Sequence, residues 1–318
     1  MIISLLVGPI FHSRIAWRAA PRLMVHVCLG VRAASSVLNE RLFMIRPILP
    51  YPGSKWRFRA PILARLARYT GWKQFREPFL GSGAISIAML VSQARPTWVN
   101  DVDVGIYCLW KSLRDHPDLL RRRIRDFVPS LEAFDQIKAY LRSSPIGACD
   151  HDIVHTGFCK LALHYLSFSA IGLNGGPKGG YGGCHIGKKW APQYLSDNIA
   201  RLQHYVDHIK ITTTDYRELV ADESIPCLLY LDPPYWVAGS GLYRHCFAQP
   251  QDHVVLAQRL QRTPHPWVLS YDDCPQIRHL YKDWADIDSI PVKYTIRSAS
   301  VTKTELLISS KLPTRTGG

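Results

Sequence analysis

The chain has 318 residues, of which 47% are hydrophobic and 20% charged, and its mean hydropathy of −0.06 is close to neutral. This is the composition of a globular protein, so a disordered, collagen-like or coiled-coil chain is excluded. Lysine and arginine number 39 against 25 acidic residues, and the net charge of +14 favours a polyanionic partner such as nucleic acid.

Residues 1–43 differ from the rest of the chain because five arginines face a single acidic residue there. The apolar run at the start covers only eleven residues, which is too short to span a bilayer, and it lacks the basic segment of a signal peptide. We expect an extension outside the folded domain, with an arginine-rich mitochondrial presequence as the alternative. This stretch carries +4, so +10 of the net charge belongs to residues 44–318.

Short apolar runs bounded by turn signals alternate with amphipathic segments along the rest of the chain. Strands are predicted at Gln74–Arg76, Thr97–Asn100, Ile209–Thr212, Leu228–Leu231 and Trp267–Ser270. Helices between them are predicted at Ala84–Ser92 and Asp252–Arg262. This alternation indicates an α/β fold built from βαβ units, with a mostly parallel sheet.

A glycine turn at Phe79–Gly83 follows the first predicted strand and opens a helix. Gly81 and Gly83 permit a tight turn and let a ligand approach backbone N–H groups. Asp101 ends the next strand, at the spacing where an acid accepts hydrogen bonds from ribose hydroxyls in nucleotide-binding α/β folds. The alternative role, N-cap of the following helix, suits Asp103 better. Without a phosphate-loop motif in the chain, the turn suits an adenosine-containing ligand without phosphates.

Residues 116–204 interrupt the alternation of strands and helices. They contain an arginine run at 121–125, a helical pattern through Phe134–Leu141 and a glycine-rich loop at 172–183. We interpret them as an inserted, mainly helical module between two parts of the α/β domain, residues 44–115 and 205–318. The arginine run could instead be a solvated helix face, and the loop an ordinary hairpin. The candidate nucleic-acid contacts are Arg121, Arg122, Arg123, Asn174, Lys178, Lys188 and Lys189.

The tetrapeptide Asp232–Pro233–Pro234–Tyr235 stands at the carboxyl end of a predicted buried strand, where open α/β sheets place their chemistry. The Asp232 carboxylate and the Pro233 carbonyl can both accept N–H bonds from an exocyclic amine on a base, which makes that amine a better nucleophile. Proline donates no N–H, so the loop presents carbonyls. Tyr235 offers an aromatic face on which a flipped base can stack. The alternative is an Asp-capped turn stiffened by prolines.

Eight cysteines occur, and they form neither a Cys-x-x-Cys pair nor a zinc-finger spacing with histidine. A disulfide framework is unusual in a chain of this length that lacks a convincing secretory signal. We interpret the cysteines as reduced thiols, mostly small core residues, in a cytoplasmic protein with no metal site. They lie at positions 28, 108, 149, 159, 184, 227, 246 and 274.

These segments, in this order, resemble the Dam-like (D12 class, α-group) adenine-N6 DNA methyltransferases. The similar stretches are Leu49–Trp56, Glu77–Gly83, Val99–Asp103 and Leu231–Tyr235, with Lys303–Ile308 similar to the family's final strand. The resemblance covers residues 46–310 and implies a Rossmann-like methyltransferase fold with an inserted target-recognition domain. It also implies S-adenosylmethionine as methyl donor, contacted by Tyr51, Lys55, Phe79, Gly81, Gly83, Asp101 and Asp232.

The resemblance further implies a role for each matching residue. Lys55 is expected near the carboxylate end of the donor, Asp101 on its ribose, and Asp232 between the donor and the target amine. Tyr51 stands where family members often have tryptophan, and it can still stack. Residues 166–175 only loosely resemble the segment before the family's recognition hairpin, so the DNA sequence that is read stays open. Transfer is expected to be direct and in-line, with the target base flipped out of the duplex.

Three other functions remain as alternatives: an RNA adenine-N6 methyltransferase, a DNA cytosine-N4 methyltransferase, and a catalytically silent DNA-binding protein on the same fold. The intact glycine turn and Asp-Pro-Pro-Tyr loop argue against the silent protein. We expect a cytoplasmic monomer, bacterial or phage-encoded, that acts on double-stranded DNA without membrane or metal. A cognate restriction endonuclease would be a partner in restriction–modification, while repair marking and phage self-protection suit the same residues.

Overall fold

The computed structural model of the protein describes residues 45–93, 95–143, 150–182, 185–237, 247, 249–296 and 299–312. The described residues all belong to one compact unit, Met44–Gly318. The expectations for residues 1–43, for the end of the glycine-rich loop at 183 and for four of the eight cysteines lie outside the described residues.

Seven strands in the described residues form one sheet: β1 (Gln74–Glu77), β2 (Thr97–Asn100), β3 (Lys210–Thr212), β4 (Cys227–Leu231), β5 (Trp267–Asp272), β6 (Ala285–Ile296) and β7 (Ala299–Ser310). Their order across the sheet is β3-β2-β1-β4-β5-β7-β6. The first five are parallel, and β7 lies antiparallel between β5 and β6. The strand order reverses between β1 and β4, and open α/β sheets bind their ligands beyond the carboxyl ends of the strands at such a switch point.

All five predicted strands are confirmed, each to within two residues at either end. Every residue of β1, β2 and β4 is buried. Parallel strands are covered by helices on both faces, and this is why β4 is a mainly apolar run and why even the polar residues of β1 and β2 are buried. The long strand β6 has no counterpart among the strands predicted from the apolar runs.

Ten α-helices lie in the described residues: α1 (Arg59–Leu66), α2 (Ala84–Ser92), α3 (Val104–Asp115), α4 (Pro117–Asp126), α5 (Leu131–Ser143), α6 (Asp150–Leu166), α7 (Pro192–Val206), α8 (Tyr216–Ala221), α9 (Pro250–Arg262) and α10 (Pro275–Tyr281). Short 3-10 turns add Lys55–Phe58, Phe168–Ala170, Gly172–Asn174 and Gly180–Gly182. None of these helices combines the length and the apolar character needed to cross a membrane.

The helices between β2 and β3 share an apolar core with the sheet. One buried cluster contains Val99 of β2 and Ile211 of β3 together with Phe134 of α5, Leu161 of α6 and Leu195 of α7. Apart from the 3-10 turns, the loop after α6 has one isolated bridge, between residues 167 and 177. The helical segment therefore packs directly on the sheet, and the proposed domain boundaries at 116 and 204 stay a prediction.

Four cysteines fall in the described part of the chain, and all four are buried and unpaired: Cys108, Cys159, Cys227 and Cys274. Burial raises the pKa of the Cys108 thiol to about 11 and that of Cys159 and Cys227 to about 12. Thiols with such pKa values are protonated at neutral pH and pack as small apolar groups.

Candidate active site

The turn that joins β1 to α2 requires glycine at position 83. Gly83 has a φ of +66°, in the left-handed region that favours glycine, and it begins α2. A Cβ built on Gly83 would lie 2.1 Å from the Trp110 ring of α3. A Cβ on Gly81 would lie 3.2 Å from the Tyr51 ring. The turn therefore leaves its backbone bare, with two aromatic rings close against it.

Glu77 caps α2 from the end of β1, because Gly83 has no side chain with which to do so. Its Oε2 accepts a hydrogen bond from the Ser86 N–H at 2.9 Å and another from the Ser86 hydroxyl. Burial raises the pKa of Glu77 to about 8, against the opposing effect of the Ser86 bonds. This acid, protonated at neutral pH, joins the strand end to the helix start and holds the turn between them.

Asp101 follows β2, and both of its carboxylate oxygens accept backbone N–H groups. Oδ2 accepts from Gly81 at 2.8 Å, and Oδ1 accepts from Asp103 at 2.9 Å. Burial, with the nearby charge of Asp103, raises the pKa of Asp101 to about 7. Asp101 is thus already engaged with the glycine turn, although each oxygen keeps a second lone pair for an outside donor. The predicted cap is confirmed, since Asp103 accepts from the Ile106 N–H at 3.1 Å at the start of α3.

Asn100, the last residue of β2, connects three strand ends and was not among the predicted site residues. Its amide nitrogen donates to the carbonyls of Pro78 at 3.2 Å and Thr214 at 3.0 Å. Its amide oxygen accepts from the Thr212 hydroxyl at 2.8 Å and from the Thr214 N–H at 2.9 Å. A buried amide with all these bonds fixes the loops after β1, β2 and β3 relative to one another.

Asp232 follows β4, and its two carboxylate oxygens have different surroundings. Oδ2 lies 2.9 Å from Lys55 Nζ, which also donates to the Gly53 carbonyl at 2.7 Å. Oδ1 is buried and has no hydrogen-bond partner among the described residues. Burial raises the pKa of Asp232 to about 6, while Lys55 opposes the rise and Glu305 adds to it. The structure thus places Lys55 on this carboxylate, whereas the resemblance had assigned it to the donor.

The residues after Asp232 are held by two acids that were not among the predicted site residues. The Tyr235 hydroxyl donates to Glu305 Oε2 at 3.0 Å. The N–H groups of Trp236 and residue 237 donate to Asp272 Oδ1 at 3.1 Å and Oδ2 at 2.8 Å. Lys55 Nζ lies 4.9 Å from the centre of the Tyr235 ring. Pro233 and Pro234 between them are buried.

The two predicted aromatic contacts of the donor lie on different elements. Tyr51 stacks on His164 of α6, with ring centres 5.5 Å apart and an interplanar angle of 19°. Phe79 packs against Tyr216 at 5.1 Å and Phe247 at 5.4 Å. Both residues are partly exposed, so each offers part of its ring near the glycine turn, beyond the ends of β1 and β2.

The seven predicted nucleic-acid contacts divide into two groups. Arg121 donates to the Ser196 hydroxyl at 2.9 Å, Arg123 lies 3.1 Å from a ring nitrogen of His155, and Lys178 donates to a backbone carbonyl at 2.8 Å. These three help to hold the helical segment together. The other four are exposed: Arg122, Asn174, Lys188 and Lys189.

The carboxyl edge of the sheet therefore brings together a glycine turn without side chains and two half-buried carboxylates, and one buried carboxylate oxygen, Asp232 Oδ1, has no described donor. In the part of the chain that the structure describes, no group of three or more histidine, cysteine, aspartate or glutamate side chains could hold a metal ion. An N–H group brought to Asp232 Oδ1 would find an acceptor there, beside an aromatic ring.

The family model described as D12 class N6 adenine-specific DNA methyltransferase matches residues 51–298. No curated protein sequence matches the chain. The match to the family spans the glycine turn, Asp101 and the Asp232–Tyr235 loop, and it confirms the resemblance and the Rossmann-like methyltransferase fold.

Three solved structures are similar to the chain at low scores. A precorrin-6y C5,15-methyltransferase from Geobacter metallireducens is 9% identical with a TM-score of 0.36, covering 84% of this chain and 98% of that chain. An rRNA methyltransferase from Streptomyces viridochromogenes is 14% identical with a TM-score of 0.35, covering 83% and 89%. A precorrin-8w decarboxylase from Methanobacterium thermoautotrophicum is 10% identical with a TM-score of 0.33, covering 84% and 96%. Similarities this low carry no information about substrate.

Proposed function

This chain belongs to the D12 class N6 adenine-specific DNA methyltransferases, and from that premise we propose that it methylates N6 of adenine at specific sites in double-stranded DNA. The family uses S-adenosylmethionine, so the reaction is the transfer of a methyl group from this donor. The further steps proposed are flipping of the target adenine out of the duplex and direct in-line transfer to its exocyclic amine.

The observation that supports this proposal is the half-paired carboxylate of Asp232. An exocyclic amine is a poor nucleophile because its lone pair is delocalised into the ring. Asp232 Oδ1, which has no partner among the described residues, can accept one N–H of the amine. The Pro233 carbonyl can accept the other. Two such acceptors return electron density to the nitrogen and hold it in one orientation, which is catalysis by positioning and electrostatics.

Lys55 determines how the carboxylate can act. Its ammonium group pairs with Oδ2 at 2.9 Å, and this leaves only Oδ1 for the amine. The same cation stabilises the ionised form of a buried carboxyl whose pKa burial raises to about 6. Asp232 is therefore mostly ionised at pH 7 and can serve as an acceptor.

The residues around the glycine turn fit S-adenosylmethionine, which supplies an electrophilic methyl group on its sulfonium when bound. The bare backbone at Gly81 and Gly83 permits close approach of an adenosine, and Asp101 has lone pairs left for ribose hydroxyls. Tyr51 and Phe79 offer flat apolar surfaces. The first turn of α2 carries no basic residue, in keeping with a ligand that has no phosphate.

Tyr235 would receive the flipped adenine. Stacking of a base on an aromatic side chain contributes about 1–3 kcal/mol, and the ring stands three residues after Asp232. Its orientation is held by the bond to Glu305 at 3.0 Å. A base that stacks here would present its exocyclic amine to the loop that carries both acceptors.

The test is transfer of labelled methyl groups from S-adenosylmethionine to duplex DNA, single-stranded DNA and RNA, followed by nucleoside mass spectrometry. We expect N6-methyladenine in duplex DNA at a restricted set of sequences. N4-methylcytosine as the product, or label in RNA alone, would replace the proposed substrate by one of the alternatives. No transfer to any of the three would favour the silent DNA-binding protein.

A further inference from the structure

The loop after Asp232 has few ways to be fastened to the sheet. Pro233 and Pro234 have no N–H to donate, so the first donors available are those of Tyr235 and the two residues after it. A short loop without such bonds would be free to move its aromatic ring relative to Asp232. The hydrogen-bond acceptors of these donors therefore decide how firmly the loop is held.

Two acids from neighbouring strands take them up. Asp272 at the end of β5 is paired in register with Glu305 of β7, so the two acids lie directly opposite each other at the carboxyl edge. Asp272 accepts the N–H groups of Trp236 and residue 237 on its two oxygens, at 3.1 and 2.8 Å. Glu305 accepts the Tyr235 hydroxyl at 3.0 Å. Three consecutive residues are thus held by one pair of acids.

Two acids opposite each other in a sheet repel, so the pair Asp272 and Glu305 destabilises the fold unless hydrogen-bond donors stabilise the two carboxylates. Like charges directly opposite each other on antiparallel strands are destabilising, and Glu305 is only 4% exposed. A third acid, Asp232, lies close enough for the charge of Glu305 to raise its pKa. Local conflicts of this kind in a folded protein are expected at functional sites. Bonds from donors of the loop offset the cost, and the same bonds fix the loop.

We propose that Asp272 and Glu305 form a carboxylate clamp that positions the Tyr235 ring and the loop around Asp232 for transfer to the flipped base. Both are positioning residues, because they act through the loop rather than on the substrate. Asp272 fixes the main chain, and Glu305 fixes the direction in which the ring points. The inference rests on the proposed function, because only a flipped base in the site makes the position of the Tyr235 ring matter for transfer.

The division of roles predicts distinct effects for conservative variants. Glu305→Gln keeps an oxygen that accepts the Tyr235 hydroxyl, so it should keep most of the activity. Glu305→Ala removes that acceptor and Tyr235→Phe removes the donor, so both variants lose this bond, and Tyr235→Phe also removes a hydroxyl that lowers the pKa of Asp232. Asp272→Asn leaves one acceptor oxygen for two N–H groups and should be intermediate.

The experiment compares single-turnover rates of methyl transfer to duplex DNA with the affinity for S-adenosylmethionine measured by calorimetry. Glu305→Ala and Tyr235→Phe should each slow the single-turnover rate by about 10- to 100-fold, as small misplacements of a reacting group do. Donor affinity should stay within about twofold, and Glu305→Gln within about threefold of the wild-type rate. In the double variant Glu305→Ala/Tyr235→Phe the losses should not add, because both remove one bond. The matched control is Asp286→Ala, an acid of β6 opposite Ser309 near the other end of the ribbon, which should leave the rate unchanged.

Several outcomes would overturn the clamp. An active wild-type enzyme with a Glu305→Ala variant of equal rate would refute it and leave the proposed function intact. Additive losses in the double variant, or donor affinity that falls in step with the rate, would also refute it. If Glu305→Ala lacks a cooperative thermal transition, the comparison of Tyr235→Phe with Glu305→Gln decides, and equal rates for these two would count against the clamp. A wild-type enzyme that methylates no DNA would remove the proposed function and the inference together.

Discussion

Two half-buried carboxylates flank β1 at the carboxyl edge of the sheet, and their partners differ in kind. Asp101, beyond β2, accepts a backbone N–H on each oxygen, from Gly81 and Asp103. Asp232, beyond β4, pairs with the Lys55 side chain on one oxygen and with no described donor on the other. Backbone donors cannot leave without opening the turn. In the proposed reaction, Asp101 therefore belongs to the scaffold of the donor site and Asp232 is the group that accepts an outside N–H.

The electrostatic surroundings of the two acids support the same distinction. Burial raises the pKa of both, to about 7 for Asp101 and about 6 for Asp232. Asp101 is stabilised as an anion by two peptide dipoles beside another acid. Asp232 has the full positive charge of Lys55. A paired lysine therefore favours the ionised form of Asp232, while peptide N–H groups favour the ionised form of Asp101.

The largest expected effect comes from removing one acid at a time. Asp232→Asn should lower the single-turnover rate of methyl transfer by about 10²–10³-fold, as loss of one preorganised polar group does, with donor affinity little changed. Asp101→Asn should do the reverse, because its amide meets two N–H groups with one acceptor oxygen. We expect weaker donor binding and a loss of about 1–3 kcal/mol of unfolding free energy. Full-rate transfer by Asp232→Asn, measured in rapid-quench assays, would contradict the different roles proposed for Asp101 and Asp232.

The next effect concerns the turn that Asp101 holds. Gly83→Ala should cost about 1–2 kcal/mol for the left-handed backbone and a further ~1–3 kcal/mol for overpacking against Trp110. The matched control is Gly180→Ala, with φ +69° and no described atom within 4 Å of the added Cβ, which should show the backbone cost alone. Urea unfolding of the two variants measures the difference. Equal losses would show that Trp110 can move aside.

Substitution of Lys55 should have a smaller effect, a shift in the pH dependence of kcat/KM. Protonation removes the negative charge that makes Asp232 Oδ1 a strong acceptor, so kcat/KM should fall as the pH drops through about 6. The Lys55 cation lowers the pKa of Asp232, so Lys55→Gln should move this acid limb to higher pH, whereas Lys55→Arg should keep it. Lys160→Gln is the control, because Lys160 pairs with Asp103 on the other side of β1. A pH–rate profile that shifts in Lys160→Gln but not in Lys55→Gln would assign the limb to Asp101 instead, because Lys160 lowers the pKa of Asp101.

The smallest effect should come from exposed groups outside both carboxylate sites. Each phosphate contact that is removed should reduce the slope of log affinity against log salt by about 0.9, while the rate at saturating DNA stays unchanged. The triple alanine variant combines Arg122, Lys188 and Lys189, and the control triple combines the exposed Lys73, Lys282 and Lys311. Filter binding over a range of salt concentrations measures both. Identical slopes would make the first three a solvated surface.

The sequence predicted the parallel part of the sheet because its strands are short and are bounded by turn or helix signals. It missed β6, whose exposed Asp288 and Ser289 interrupt any apolar run. An edge strand pairs on one side only, so a continuous apolar pattern is not needed there. The Asp103 cap was predictable for the opposite reason, since the N–H that it accepts lies three residues away.

In the candidate site, too, contacts between elements close in the sequence were predictable, and contacts between distant segments were not. Asp101 and Gly81 are only twenty residues apart, and the spacing of two strand ends indicated that they meet at one edge. The bond from Tyr235 to Glu305 spans seventy residues and depends on β7 lying beside β5. No pattern of neighbouring residues predicts that β7 lies between β5 and β6. The same holds for Lys55, which reaches Asp232 from the segment before β1.

The sequence by itself determined the α/β fold class, the positions of the buried strands and the residues that stand at their carboxyl ends. These follow from periodicity and turn chemistry, which act over a few residues. Only the tertiary structure decided which partner each carboxylate takes. Partners are set by strand order and by the antiparallel entry of β7, and these depend on contacts between distant segments. That is why Asp101 and Asp232 differ although both follow strand ends. Asp101 accepts backbone N–H groups of the glycine turn and of Asp103, and Asp232 keeps one buried oxygen without a described donor.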